Sequence, residues 1–408
     1  MIKYAILGIV LSIYYYIVLV ADISFFNPTK LHNFSNHFLK NSLKPPSNSY
    51  LDFEYPYRDR SQIGSENATL VMLVRNRELD TALESIRSLE DRFNKNYRYP
   101  WIFFNDEPFT DEFIEKTTLF ASSKTYYEII PSRDWDTPRF INQTKFNESI
   151  QSAIDNNVIY GHSKSYRNMC HYNSGYFYKQ KILQNYDWYF RVEPDVQYLC
   201  DFQYDPFELL RVNNKIYGFV ITIHEYENTL PSLWSNVEKF MQQYPHLIHE
   251  NNSLDFITSF DDLNLWTAQE KSKSPYNLCH FWSNFEIANL NFFRSEAYNT
   301  YFDFLDKTGG FYYERWGDAP VHSIALNILV DKNQIHHFDD LGYYHPPFMT
   351  CPTSDEIKAS KRCICKADYG KHRVDTPIDY HYFSCLPRWW RYGSGKRFLN
   401  EIDRTFNV

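Results

Sequence analysis

Residues 188–196 read Trp-Tyr-Phe-Arg-Val-Glu-Pro-Asp-Val, an apolar and aromatic run that ends in two carboxylates separated by a proline. Aromatic and β-branched residues favour strands, so the run predicts a buried β-strand. Glu193 and Asp195 would then lie beyond its carboxyl end, at the rim of a sheet. Carboxylates with open positions suit Mg²⁺ or Mn²⁺, and such a cation suits a diphosphate. The stretch therefore predicts a metal-dependent enzyme for a nucleotide-linked substrate; the alternative is a solvated turn.

Strand and helix patterns alternate before this stretch. Residues 68–74 and 101–104 are apolar runs typical of buried strands, and helical patterns follow them over 78–89 and 110–120. This order predicts an α/β fold with a mainly parallel central sheet, whose ligands bind beyond the carboxyl ends of the strands. The polar residues directly after the two runs are Arg75, Asn76 and Asp106.

Two later segments complete the predicted domain. Residues 217–223 form a further apolar run and predict one more strand, with Glu225 just beyond it. The chain from Cys351 onward carries four of the seven cysteines and little periodicity. We therefore expect a single large domain with a disulfide-pinned C-terminal wrap.

Composition narrows the class of partner. Among 408 residues, acidic side chains exceed basic ones and give a net charge of -8, which argues against nucleic acid. Aromatic residues make up 19% of the chain. That fraction fits an aromatic-rich core, and it also fits a site where flat rings stack on sugars; both interpretations stay open.

The N-terminus predicts a membrane anchor. Residues 4–21 contain no charged side chain, and a helix of this length spans roughly 27 Å, close to the thickness of a bilayer core. A cleaved signal peptide is the alternative, although only Ala21 resembles the small residue that cleavage needs. We predict a cytoplasmic tail (1–3), a signal anchor (4–21), a lumenal stem (22–61) and a catalytic domain (62–408).

Sequons and cysteines agree with a lumenal domain. Five Asn-x-Ser/Thr sequons follow the anchor, as do all seven cysteines, which should mostly pair in an oxidising compartment. The odd number leaves at least one thiol unpaired or intermolecular. Cys363 and Cys365 are separated by one residue, so they predict disulfides and not a zinc site.

Four further residues are candidates for chemistry. Glu225 suits the same metal shell or a surface ion pair. Glu286 lies among apolar neighbours, where a carboxylate either holds a hydrogen-bond network or acts on an oxocarbenium-like centre. Asp318 follows a glycine-rich aromatic loop that suits a ligand, and it also suits a helix N-cap. His345 precedes Pro346-Pro347, and a single histidine is more often structural than a ligand.

The longest strings around these residues resemble the fungal type II Golgi α-1,2-mannosyltransferase family. The resemblance covers about residues 70–385, nearly all of the predicted lumenal part. Its strings lie at residues 73–76, 105–110, 165–170, 189–196, 279–286 and 313–322.

This resemblance implies a GT-A-like fold and a retaining transfer that uses Mn²⁺. Glu193, with Glu225 and His345, would hold the metal, which reverses the structural interpretation of His345. Glu286 matches the acid proposed as nucleophile, although a same-face mechanism without a covalent intermediate stays open. The residues assigned to donor binding are Tyr166, Arg75, Asp195 and Asp318.

The predicted activity is transfer of mannose from GDP-mannose to a mannose hydroxyl of O- or N-linked glycoprotein glycans in the Golgi membrane. Transfer of mannosylphosphate from the same donor is the nearest alternative, because the motifs do not separate the two. A non-catalytic glycan-binding protein would have a broken acidic motif, and a glycosidase would need neither nucleotide nor metal.

Overall fold

A seven-stranded mixed sheet forms the centre of the fold. The computed structural model describes residues 66–259, 275–365, 377–381 and 383–395, which all lie within one compact unit, Tyr55–Arg397. In spatial order the strands of the sheet are β10 (Ile335–His337), β6 (Tyr217–Phe219), β9 (Phe285–Asn289), β4 (Trp188–Val192), β1 (Ala68–Leu73), β2 (Trp101–Asn105) and β3 (Thr125–Ile129). Among these strands only β9 runs antiparallel to its neighbours. The predicted mainly parallel sheet is confirmed.

Strand β4 occupies the middle of this sheet. It pairs in parallel with β1 and antiparallel with β9, and Phe190 and Val192 are fully buried. Side chains alternate between the two faces of a strand, so Tyr189 and Arg191 share the opposite face. In the register with β9, Arg191 lies across from Glu286. The sheet thus places a basic side chain, Arg191, next to an acidic one, Glu286.

Helices cover the sheet. The two helices predicted from the sequence, α1 (Leu79–Leu89) and α3 (Asp111–Phe120), have the predicted boundaries to within one residue. Helix α1 buries Ala82, Ile86 and Leu89, the apolar stripe of its pattern. Thr110 caps α3, because its hydroxyl accepts a hydrogen bond from the backbone N–H of Phe113. The helices are α1 (Leu79–Leu89), α2 (Lys95–Tyr97), α3 (Asp111–Phe120), α4 (Ser132–Trp135), α5 (Gln143–Asp155), α6 (Lys164–Gly175), α7 (Pro206–Val212), α8 (Leu233–Gln243), α9 (Leu254–Thr258), α10 (Leu290–Arg294), α11 (Glu296–Asp306), α12 (Gly310–Tyr313), α13 (Asp318–Leu329), α14 (Asp355–Ser360) and α15 (Leu386–Tyr392).

The single strand predicted over residues 217–223 is wrong. The run divides into β6, which stays in the main sheet, and β7 (Thr222–His224), which pairs with β8 (Cys279–Phe281) in a separate two-stranded sheet. Both halves are buried almost completely. Because an apolar run suits either sheet, the hydrophobic pattern did not reveal the break.

A small sheet brings the C-terminal region to the loop after β4. Its strands are β5 (Gln197–Tyr198), β11 (Tyr343–His345) and β12 (Phe348–Thr350), with β11 in the middle. Tyr343 pairs with Tyr198 and Tyr344 with Gln197. Continuation of this antiparallel register places His345 across from Val196, one residue from Asp195.

Three disulfides join the C-terminal segment to the domain, as the cysteine pattern predicted. The pairs are Cys200–Cys363, Cys279–Cys385 and Cys351–Cys365. Cys363 and Cys365 therefore bond to different partners, and Cys170 remains a buried free thiol. The first two bridges link positions 163 and 106 residues apart, the separations at which a crosslink most restricts the unfolded chain.

The predicted cytoplasmic tail, signal anchor and stem lie outside the described residues. Within the part of the chain that the structure describes, no helix combines the length and the apolar character needed to cross a bilayer.

Candidate active site

A cavity of about 240 Å³ opens beyond the carboxyl ends of β1, β2 and β4, where the topology predicts a ligand. Asn105 Nδ2, on its wall, is buried and has no hydrogen-bond partner within the described chain. An unsatisfied buried donor favours a polar ligand. The residues that line this donor cavity include Arg75, Asn105, Asp106, Ser165, Tyr166 and Glu193.

Arg75 is fixed at the mouth of β1 by its neighbours. The backbone N–H of Arg75 donates a hydrogen bond to the Glu78 carboxylate at 2.8 Å, and the Arg75 guanidinium donates to the Ser165 hydroxyl on α6. A guanidinium held in this way matches the geometry of phosphate oxygens. The predicted donor-binding residues Arg75 and Tyr166 thus line one cavity.

Arg191 organises the acidic side of the site. Its Nε lies 2.6 Å from a Glu193 carboxylate oxygen, and its Nη1 lies 2.5 Å from Asp318 Oδ2. The Ser283 hydroxyl donates to the same Asp318 oxygen at 2.9 Å. Burial opposes ionisation of Asp318, but the charge of Arg191 outweighs it and lowers the pKa of the carboxyl.

The structure corrects the interpretation of Asp318 as a helix cap. Helix α13 begins at Asp318, Gly317 holds the N-cap position, and the Asp318 carboxylate points to Arg191 and Ser283. Asp318 is therefore part of the polar network of the site. Its direct contact with the donor stays a prediction.

Glu225 and Tyr166 meet at Arg315. Arg315 Nη2 lies 3.4 Å from a Glu225 oxygen, and its Nη1 donates to the Tyr166 hydroxyl at 3.4 Å. The guanidinium carbon also lies 5.4 Å from the centre of the Tyr166 ring. Gly317 passes close to this group, since a Cβ there would lie 3.5 Å from Glu225 Oε2. Burial raises the pKa of Tyr166 well above its usual range, so its hydroxyl keeps its proton.

The hydrogen bond of His345 leaves one ring nitrogen free to accept, as a metal-binding histidine requires. Its Nδ1 lies 2.9 Å from the Pro346 carbonyl, which only accepts, so Nδ1 carries the proton and the neutral ring has its lone pair on Nε2. A backbone carbonyl on the far nitrogen is the usual partner of a metal-binding histidine. The ring packs edge-on against Trp282 at 4.8 Å.

The predicted metal ligands fit Mn²⁺ in chemistry but do not form a closed cluster. Carboxylate oxygens and an imidazole suit this ion. Glu193 pairs with Arg191 and Glu225 with Arg315, and Asp195 is exposed in the loop after β4, with φ of 75°. Among described residues, only two cysteine-containing groups gather three ligand atoms within 4.8 Å, and their cysteines are oxidised.

Glu286 lies at the wall of a second, small cavity. The side chain is fully buried, the Tyr189 hydroxyl donates to Oε1, and His322 Nδ1 lies 3.0 Å from Oε2. Leu73 lines both cavities, so they are neighbours on either side of this residue. The Tyr172 hydroxyl, also on the wall of the second cavity, is buried without a described partner.

Sequence reasoning missed the basic residues that connect these acids. Arg191 stands in the opening stretch, and strand alternation puts it on the face of Tyr189 and Glu193, a signal that was available. His322 follows Asp318 by one helical turn, so both lie on one face of α13. Arg315 gave no comparable signal, because its position depends on the loop between α12 and α13.

An open, mostly parallel sheet with a polar cavity beyond its strand ends and a buried acid behind it defines a glycosyltransferase of GT-A-like fold. The sequence pattern of the glycolipid 2-alpha-mannosyltransferase family matches residues 27–394. The chain therefore belongs to this family.

Similar proteins agree over most of the chain. Probable mannosyltransferase KTR2 of Saccharomyces cerevisiae is 54% identical over 365 residues, which cover 89% of this chain and 85% of that protein. Alpha-1,2 mannosyltransferase KTR1 of the same yeast is 48% identical over 325 residues, covering 79% and 80%. The crystal structure of core-mannan synthase A (CmsA/Ktr4) from Aspergillus fumigatus, in an Mn/GDP form, is 41% identical and matches with a TM-score of 0.73, covering 81% of this chain and 86% of that chain. The match confirms the predicted fold.

Proposed function

We propose that the protein transfers mannose from GDP-mannose to a mannose hydroxyl of O- or N-linked glycoprotein glycans, with retention of configuration and formation of an α-1,2 bond. The observation that carries this proposal is the polar cavity lined by Arg75 and Tyr166, with the buried carboxylate of Glu286 at the wall of a neighbouring cavity. A nucleotide diphosphate suits the polar cavity, because Arg75 and the unpaired Asn105 amide offer it hydrogen-bond donors. The relatives' names supply the sugar and the linkage.

We assign Mn²⁺ binding to Glu193, Glu225 and His345, with Asp195 nearby. The Nε2 lone pair of His345 and the carboxylates at this rim suit the ion. When bound, Mn²⁺ would neutralise the negative charge that develops on the diphosphate leaving group. The Mn/GDP form of core-mannan synthase A supports this assignment.

The chain's own residues supply the remaining chemistry. Arg75 suits the diphosphate as a charged donor of hydrogen bonds. We assign to the buried Glu286 the stabilisation of positive charge on the anomeric carbon, which its negative charge would provide. Arg191, which lines the same cavity as Glu286, holds Glu193 and Asp318 in fixed positions.

The test is a transfer assay with the full-length protein, GDP-mannose, Mn²⁺ and α-methylmannoside. The expected product is an α-1,2-linked dimannoside, identified by mass and by the NMR signals of the anomeric proton. A product heavier by a phosphate would show mannosylphosphate transfer. Free mannose alone would show hydrolysis, and either result would contradict the proposal.

We further propose a type II orientation in the Golgi membrane, with residues 4–21 as the anchor and everything after them lumenal. Three disulfides within the domain support an oxidising compartment. Sealed Golgi vesicles should protect the full chain from added protease until detergent is present. Digestion without detergent would contradict this orientation.

A further inference from the structure

His322, the histidine beside Glu286, has one ring nitrogen whose hydrogen is fixed by its partner and one whose state depends on Glu286. His322 Nε2 lies 3.0 Å from the Asn173 backbone carbonyl, and Nδ1 lies 3.0 Å from Glu286 Oε2. The carbonyl only accepts, so Nε2 must carry a hydrogen. The state of Nδ1 then depends on Glu286 alone.

A single proton must therefore lie between His322 and Glu286. If Glu286 is ionised, Nδ1 must donate and the ring is an imidazolium. If the ring is neutral, Nδ1 accepts and Glu286 must be the donor. A bare lone pair facing a carboxylate, or two hydrogens facing each other, would leave buried polar atoms unsatisfied. Both side chains are fully buried, so bulk water does not reach the pair.

The other groups around Glu286 donate hydrogen bonds to it or carry positive charge. The Tyr189 hydroxyl donates to Oε1, and burial and the Glu286 charge raise the pKa of that tyrosine well above its usual range, which keeps its proton in place. Arg191 lies across the strand pair from Glu286. A buried carboxyl without partners would be costly, and the His322 ring 3.0 Å away offsets that cost.

Among the residues that the structure describes, no other group facing the pair titrates between about pH 5 and 9. Burial raises the pKa of both further tyrosines near Glu286 above this range, the pKa of Arg191 is raised further, and the pKa of Asp318, which feels the His322 charge, is lowered. These neighbours come from β4, β6, α11 and the first turn of α13, and they are Arg191, Tyr217, Tyr298 and Asp318.

We propose that His322 is a positioning residue for sugar transfer, which shares one proton with Glu286 and holds that buried carboxyl at the wall of the second cavity. His322 also fixes α13 relative to α6 through the Asn173 carbonyl. Asp318, one turn earlier on α13, also ties this helix to a neighbouring element, because it binds Arg191 on β4. The inference rests on the role proposed for Glu286.

The test compares His322→Gln with the wild type in the full-length protein. Glutamine offers a fixed amide hydrogen in place of the shared proton and cannot carry a charge. We expect kcat to fall by about 10²-fold, the KM for GDP-mannose to change by less than about twofold, and the acidic limb of the kcat–pH profile to move up by about one pH unit or more. Loss of kcat without this displacement, or an unchanged kcat, would overturn the proposal.

The matched control is His171→Gln, which removes another buried histidine paired with a carboxylate, Asp306, at 2.8 Å. The acidic limb of the kcat–pH profile of His171→Gln should coincide with that of the wild type. If His322→Gln fails to fold, the double variant His322→Gln/Glu286→Gln, which leaves no unpaired charge, should restore the folded protein; failure of both variants to fold would show a packing role only and overturn the proposal. Wild-type turnover in the same assay tests the proposed function separately.

Discussion

Asp318, the first residue of α13, binds Arg191 on the central strand β4 through a 2.5 Å contact between Oδ2 and Nη1. The same guanidinium binds Glu193 at 2.6 Å. One basic residue therefore connects the acidic motif after β4 to the helix that carries His322. Its position explains why Glu193 is held at the rim and not directed freely into solvent.

Replacement of Arg191 by methionine should destabilise the protein strongly. The change keeps most of the side-chain volume but leaves Asp318, whose side chain is 7% exposed, without its cation. Loss of one partner of a buried ion pair costs about 3–5 kcal/mol. Urea denaturation at neutral pH should show a loss of this size in the free energy of unfolding.

The control is Arg87→Gln, which breaks a pair with Asp91 in which the two side chains are 72% and 61% exposed. An exposed pair contributes at most about 1 kcal/mol. Equal losses for the two variants would contradict the structural role given to Arg191.

Replacement of His345 by alanine should weaken metal binding. The ring's Nε2 is the ligand atom in the proposed site, since Nδ1 donates to the Pro346 carbonyl. We expect the Mn²⁺ concentration for half-maximal transfer to rise at least about tenfold. Chelation of the metal should abolish transfer by the wild type, and added Mn²⁺ should restore it.

His246→Ala removes an exposed histidine on a short turn after α8 and serves as the control for this experiment. It should require as much Mn²⁺ as the wild type does. The assignment of His345 fails if its alanine variant saturates at the same concentration.

Burial of Asp379 predicts a pH dependence of stability. Burial raises the pKa of this carboxyl to about 7, although the Thr350 hydroxyl donates to it and acts in the opposite direction. Between about pH 4 and 7 the folded protein therefore holds a proton that the unfolded chain releases. The stabilisation is complete below the unfolded pKa and is lost as the pH rises through the folded value.

Asp379→Asn should flatten this dependence. The amide oxygen still accepts from Thr350, but no proton is gained or lost. The slope contributed by one such group is at most about 1.4 kcal/mol per pH unit. Free energies of unfolding measured between pH 4 and 8 should diverge between the two proteins, and parallel curves would contradict the burial argument.

The sequence was sufficient for features set by local pattern. Strand β1 and helices α1 and α3 follow from short apolar periods in the sequence. Glu193 was placed at the strand end because the run before it is continuous. The strand break after Phe219 was missed, since apolar residues continue on both sides of it.

Long-range pairing explains the remaining differences. The contact of Arg191 with Asp318 joins residues 127 positions apart, and that of His322 with Glu286 depends on how α13 packs against β9. Neither is encoded in a local period. Without those partners, Asp318 could only be interpreted as a ligand-binding residue or a cap.

The most direct measurement of the central claim is the turnover of Glu286→Gln with GDP-mannose, Mn²⁺ and α-methylmannoside. Glutamine can accept from Tyr189 and donate to His322, so the thermal midpoint and the affinity for GDP should stay near those of the wild type. We expect kcat to fall by about 10²–10³-fold, because the variant lacks the Glu286 charge that we propose stabilises the anomeric carbon. Near-normal turnover would contradict the account.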